Sequence, residues 1–234
     1  PQDWLGGKTD HGVPKELFSV FREGDPDASS RQALQALQKG VSPQSIWDGI
    51  FVGAGELLMR QPGIIGLHGL TTANAMHFLW KTTGDDQLRR RLLLQASSFQ
   101  PLFRESAKKR GKLAGRYVGQ LGDDSVPLSK REPLGEILAE ISSDPLSAAR
   151  KTRRFLGQGG SSYRLVDATR RLLFSKGRDA HDYKFSSAVL EDFAHVSPFW
   201  RDDFLSLAVF NLKGSGAPDN RLVQRIQSLD LRSP

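Results

Sequence analysis

Apolar residues recur along the chain at three- and four-residue spacings, interrupted by Gly, Pro and capping Ser, Thr or Asp. That is the helical period, and nowhere do apolar and polar positions alternate strictly, so helices are predicted and no convincing strand. Ser29 or Ser30 is expected to cap a helix through Leu34 and Leu37, which Gly40 stops. Ser42 followed by Pro43 then supplies an N-cap with Pro at the first helical position. The next helix, from Gln44 towards Arg60, ends before Pro62. It carries Ile46, Trp47, Ile50, Phe51, Val52, Leu57, Leu58 and Met59 around most of its circumference, the pattern of a central, buried helix.

After a bend at Pro62 and Gly63, Thr71 or Thr72 is expected to begin a helix ending at Gly84. Asp85 to Phe103 reads as another, kinked or restarted at Pro101. Gly111, Gly115, Gly119 and Gly122, with 123–130, read as a long loop of the kind that often lies over a site. Further helices are expected at 133–141, 144–156, 161–175, 182–196, 198–211 and 218–229, with Asp144, Ser161 and Ser197 as start signals. No fixed-period repeat is present. The expected fold is all-α, an irregular multi-helix bundle forming one domain over 1–234. Because the chain opens at Pro1 rather than Met, that domain is expected to be a processed product or the C-terminal part of a longer protein.

Composition supports a real interior: 38% of residues are hydrophobic, with 13 Phe, 4 Trp and 3 Tyr. Cysteine is absent, which excludes a disulfide framework, a Cys-ligated zinc and a thiol nucleophile. No apolar run approaches the roughly 18 residues of a membrane-spanning helix, so a soluble protein is expected, cytoplasmic in the simplest case. The net charge of +7 is uneven, since nine Lys/Arg and one Glu fall between Arg89 and Arg116 and the remainder nets −1. This patch, with Arg89, Arg90, Arg91, Lys108, Lys109 and Arg110, could meet an anionic partner such as nucleic acid, or be a solvated helix face.

Several chemical signatures are missing, among them His-Glu-x-x-His, the di-iron Glu-x-x-His, the Gly-x-Ser-x-Gly elbow and a Walker loop. The glycine-rich stretch Gly157 to Ser162 opens a helix and could hold a phosphate, but no strand precedes it, and a helix-to-helix linker, with Gly ending one helix and Ser capping the next, is the better reading. More informative is the helix after Leu70. At about 100° per residue, Asn74, His77 and Lys81 form a thin polar stripe among Ala73, Ala75, Met76, Phe78, Leu79 and Trp80. Such a stripe faces water or lines a cavity. His68 lies just upstream, in what reads as a Gly-flanked turn. Glu56, in the preceding apolar helix, needs an imidazole or basic partner. A second group, His181, Lys184, Glu191 and His195, shares one side of a later helix and is either an exposed face or a site. Should the segments converge, His68, His77 and His181 with Glu56 or Asp182 would suit a metal or proton transfer. His11 sits in an irregular leader and receives no role.

At these same two segments the chain resembles the questin oxidase-like family. The residues concerned are Gly66 to Thr71 followed by Ala73 to Leu79, and Ala180 to Asp192 with its His-x-x-Lys start. The resemblance implies an α-helical fold and, as in the fungal archetype, oxidative opening of an anthraquinone ring with NADPH as reductant. It places catalytic roles on His68, His181 and Lys184, while Asn74, His77 and Glu56 are the candidate substrate-binding residues. The expected function is therefore an oxidoreductase acting on a small organic, aromatic or quinone-type substrate in a His-lined cavity between helices. The alternative is a helical binding module that uses 89–116 for an anionic partner. A third reading is a structural fragment completed by a missing N-terminal part.

Overall fold

Pro14, Pro26, Pro43, Pro133 and Pro145 each stand in the first turn of a helix, where their missing N–H is no loss. Side chains of Asp25, Ser42, Asp85, Asp144, Ser161, Asp179 and Asn220 accept backbone N–H groups at helix starts. The computed structural model describes residues 3–122 and 127–229, and among them eleven α-helices and no β-strand. They are α1 (Val13–Glu23), α2 (Pro26–Gln38), α3 (Pro43–Arg60), α4 (Ile64–Thr82), α5 (Asp86–Lys108) and α6 (Pro133–Glu140). There follow α7 (Pro145–Gly157), α8 (Ser162–Lys176), α9 (Ala180–Asp192), α10 (Arg201–Ala208) and α11 (Arg221–Ser228). A 3-10 turn spans Val118–Gly122, and one isolated parallel bridge joins Lys8 to Val41.

Helix α3 is the hub, buried from Pro43 to Met59 apart from Gln44, and it packs against α1, α4, α5 and α10. The apolar circumference seen in the sequence therefore has a neighbour on every side. Close approach is possible because glycines face those neighbours: a Cβ at Gly53 would stand 2.5 Å from the Phe21 ring, and one at Gly55 2.9 Å from Leu207. One continuous apolar cluster, from Trp4 to Leu212, joins the helices around it. Helix α4 lies between α3, α5 and α9, α2 covers α5, and α7 rests on α10. No helix of the described residues is long and apolar enough to cross a membrane.

Several expectations need correction. Asp25, not Ser29 or Ser30, caps α2, because Ser29 is buried and its hydroxyl donates to the Ser97 carbonyl of α5 at 2.8 Å. That bond also explains why α5 runs through Pro101 without a break. Pro101 cannot donate to the carbonyl four residues earlier, and Ser29 takes its place. Helix α4 begins at Ile64, so Thr71 and Thr72 lie inside it and His68 is helical rather than in a turn. Gly66 lies inside this helix, where a Cβ would stand 2.7 Å from the Leu58 backbone, so the residue is a contact point between helices. Helix α9 stops at Asp192, short of the expected 196, and α10 starts at Arg201, later than the expected 198. Helix α1, outside the helices expected from the sequence, packs on α3 through Leu17, Phe18 and Phe21. Of the long loop, 123–126 lie outside the described residues. The part before them lies along α3, with the Ala114 N–H bonded to the Arg60 carbonyl and the Val118 N–H to Glu56.

Candidate functional site

Four of the five histidines stand along one seam, where α4 meets α9 and the turn that follows it. The pairings His68–His181, Asn74–Asp192 and His77–His195 rise together in number, so the two segments run parallel. His68 and His77 are nine positions apart on α4, roughly 13 Å along its axis. The candidate residues thus form two groups.

At the N-terminal end the His68 and His181 rings lie 5.8 Å apart, with Lys184 one turn along α9. His68 is half-buried, and that burial, then Lys184 and His181, hold its imidazole below its ordinary value. His181 and Lys184 are exposed, and His181 Nδ1 is 3.7 Å from the capping Asp179 carboxylate.

The other end is more enclosed. His77 is 3% exposed, stacked on Trp80 at 5.7 Å and meeting Trp47 at 4.8 Å and Phe51 at 5.1 Å edge-on. Burial pushes it down to about 3, with His195 and Lys81 adding to the effect, so it is a neutral imidazole. His195 lies 4.9 Å from it, ring to ring, and Lys81 Nζ stands 3.3 Å from each His195 ring nitrogen. Burial first and Lys81 second lower His195 as well, while Glu191 opposes them. The turn holding His195 is fixed by Gln44, whose side-chain amide donates to the His195 carbonyl at 2.8 Å and to Asp48 at 2.9 Å. The Ser197 N–H donates to the same Asp48 oxygen at 2.9 Å, and burial raises that carboxyl above its usual range.

Between the two ends, Asn74 Nδ2 donates to Asp192 Oδ1 at 2.9 Å. Asp192 is fully buried, and burial pushes it up to about 8 against the pull of Asn74, so it holds a proton at neutral pH. Its Oδ2, Thr71 Oγ1, Trp47 Nε1 and Trp80 Nε1 have no hydrogen-bond partner among the described residues. Beside His195 opens a cleft of about 690 Å³ between α8 and α9, lined by Arg170, Phe174, Ser187, Leu190, Glu191 and His195 among others. This volume suits a small organic molecule.

Not every candidate residue joins the seam. Glu56 faces α1 instead, clamped by Arg22 through two bonds of 2.6 Å and by the Val118 N–H at 2.9 Å. Its buried charge is met by a guanidinium, the basic partner it required. Asp182 accepts from the Arg178 N–H and pairs with Lys213 at 2.7 Å. The α4 stripe is reversed relative to a simple amphipathic reading. Asn74 and His77 point inward, while Phe78 and Leu79 are 56% and 51% exposed, because α9 supplies polar partners to the stripe. Asp192 and Asp48 received no role from the sequence. The available signal for Asp192 was a carboxylate set between Val189-Leu190 and Phe193, three residues before His195.

The basic stretch is not one surface. Arg89 donates to the Trp80 and Thr83 carbonyls at the end of α4, Arg90 pairs with Asp86 at 2.9 Å, and buried Arg104 donates to the Phe21 carbonyl. Arg91 and Lys109 lie near opposite ends of α5, roughly 27 Å apart along its axis. The glycine-rich linker is likewise committed. The Gly159 and Gly160 N–H groups close α7 on the Leu156 and Phe155 carbonyls, and Ser161 caps α8. Among the described residues no group of three or more His, Asp or Glu is placed to hold a metal ion. Set against known protein families, curated proteins and solved structures, the chain matches none of them.

Proposed function

We propose that the chain is an enzyme that moves a proton on a small organic molecule seated in the α8–α9 cleft, with His195 as the general base. The observation that carries this reading is a neutral imidazole at the cleft wall with a lysine amine 3.3 Å from both its nitrogens. A base serves best when it is unprotonated at working pH, and burial together with Lys81 keeps His195 so. When His195 takes the proton, Glu191 offsets the charge it gains. Lys81, outside the cleft lining, acts through His195, whose protonated form it disfavours. His77 is a positioning residue: neutral and wedged among Trp47, Phe51 and Trp80, it fixes the His195 ring from behind.

The resemblance to the questin oxidase-like family would make the substrate aromatic or quinone-type and the reaction an oxidation. The 5.8 Å approach of His68 and His181, beside Lys184, supports a role for that end of the seam in binding or protonating an oxygen substituent. NADPH fits less well at the one glycine-rich helix start, because its amides already bond the end of α7.

The test is a thermal-shift screen of hydroxylated aromatics and quinones, followed by deuterium exchange into any ligand found. A compound at a hundredfold excess over its Kd raises Tm by about 5–10 °C. It does so in the native protein and not in Ser187→Trp, which fills the cleft from an exposed position. Exchange into the ligand is lost in His195→Gln. Equal stabilisation of the cleft-filled variant, or exchange that survives His195→Gln, refutes the assignment.

A further inference from the structure

Helix α11 makes a contact surface out of residues that contribute nothing to the core. None of its residues is buried, and Leu222, Ile226 and Leu229 are 58%, 46% and 66% exposed. At about 100° per residue these three fall within roughly 60° of one another, a single apolar stripe. Arg221 and Arg225 lie along one edge of it, and Gln224, Gln227 and Ser228 occupy the opposite face. The helix does not dangle. Asn220 caps it through the Val223 N–H, while its side-chain amide donates to the Phe174 and Gly177 carbonyls at 2.8 and 3.0 Å. The Asn220 N–H adds a bond to Ser175, and Lys176 pairs with Asp219 at 2.8 Å. Helix α11 is thereby anchored to the end of α8, beside Phe174, which is itself 67% exposed. Together α8 and α11 carry six Lys/Arg; Arg171 pairs with Asp167 and Lys176 with Asp219, while Arg164, Arg170, Arg221 and Arg225 make no ion pair among the described residues.

We propose that this edge docks on an anionic lipid surface, with Leu222, Ile226 and Leu229 entering the headgroup–acyl boundary and the arginines meeting lipid phosphates. Aliphatic side chains flanked by arginine, whose apolar stems lie along the stripe while the guanidinium reaches outward, are the chemistry of interfacial helices. A second copy of the chain is the wrong occupant for this edge. A two-fold pairing would set the same excess of positive charge against itself. Nucleic acid is also disfavoured, since a phosphate backbone has no use for three protruding aliphatics.

The experiment is co-sedimentation of the full chain with vesicles of phosphatidylcholine mixed with phosphatidylserine, against phosphatidylcholine alone, at low and physiological salt. Binding is expected to the mixed vesicles and to weaken with salt. Leu222→Ser with Ile226→Ser lowers it by about tenfold or more. Arg221→Gln and Arg225→Gln each lower it by about fivefold. Melting curves of all four substitutions stay within about 2 °C of the native protein, because the residues replaced are exposed, and so lost binding cannot be misfolding. Three results would overturn the proposal. One is no binding to mixed vesicles at low salt. Another is binding that the serine variant leaves intact, which would reflect the overall +7 charge alone. The third is a concentration-dependent dimer in sedimentation equilibrium that the same variant abolishes.

Discussion

Two buried groups on the seam titrate in opposite senses. His77 falls from 6.5 to about 3 on folding, so the unfolded chain binds the extra proton between those values. Its contribution is complete above pH 6.5 and is lost as pH falls towards 3. Asp192 rises from 3.8 to about 8, so the folded chain holds the extra proton and its contribution is lost as pH climbs from 4 to 8. The two effects oppose each other between about pH 4 and 6.5, and only Asp192 acts above that. Urea unfolding across pH 6.5 to 8 should show native stability falling by up to about 1.4 kcal/mol per pH unit relative to Asp192→Asn. Parallel curves for the two proteins would show that Asp192 ionises normally. A second residue-scale test concerns Glu56. Arg22→Met strands a buried carboxylate and should cost about 3–5 kcal/mol, and Arg22→Met with Glu56→Leu should recover most of it. If the double variant is no more stable than the single one, the Val118 N–H, rather than the guanidinium, is what holds the carboxylate.

At the scale of elements, the most specific dependency links α2 to α5. Ser29 donates to the carbonyl that Pro101 leaves unserved, and both serines are fully buried. Ser29→Ala should therefore cost about 1–3 kcal/mol, the penalty for an unpaired buried carbonyl. Placed in a Pro101→Ala background, where the helix amide is restored, the same substitution should cost measurably less. The coupling in a double-mutant cycle, read by denaturant melts, is the observable, and additive costs would deny the link. Such dependencies explain which elements were legible. Ser42 with Pro43, Asp144 with Pro145, and Ser161 are local signals, and α3, α7 and α8 begin as they indicate. Gly66 and Pro101 are local breakers that stay helical, because Leu58 of α3 and Ser29 of α2 reward the helix from outside it. No window of sequence around either residue contains that information.

The whole molecule separates what the chain could declare from what only packing creates. Histidine is scarce, so His68 and His181 drew notice, and the fold places their rings 5.8 Å apart. The run of charge from Arg89 to Arg116 drew notice too, yet winding it into α5 sets Arg91 and Lys109 roughly 27 Å apart. Meanwhile α8 and α11, distant in sequence, are joined by Asn220 through the Phe174 and Gly177 carbonyls. Because α11 buries no residue, the bundle should not need it. A chain ending at Asn220 keeps the cap on the Phe174 and Gly177 carbonyls and should melt cooperatively within about 2–4 °C of the full chain, a change of at most about 1 kcal/mol. A larger loss, or a broadened transition, would mean that α11 is part of the fold. Its exposed leucines would then be closing the bundle in solution rather than standing ready for a surface outside it.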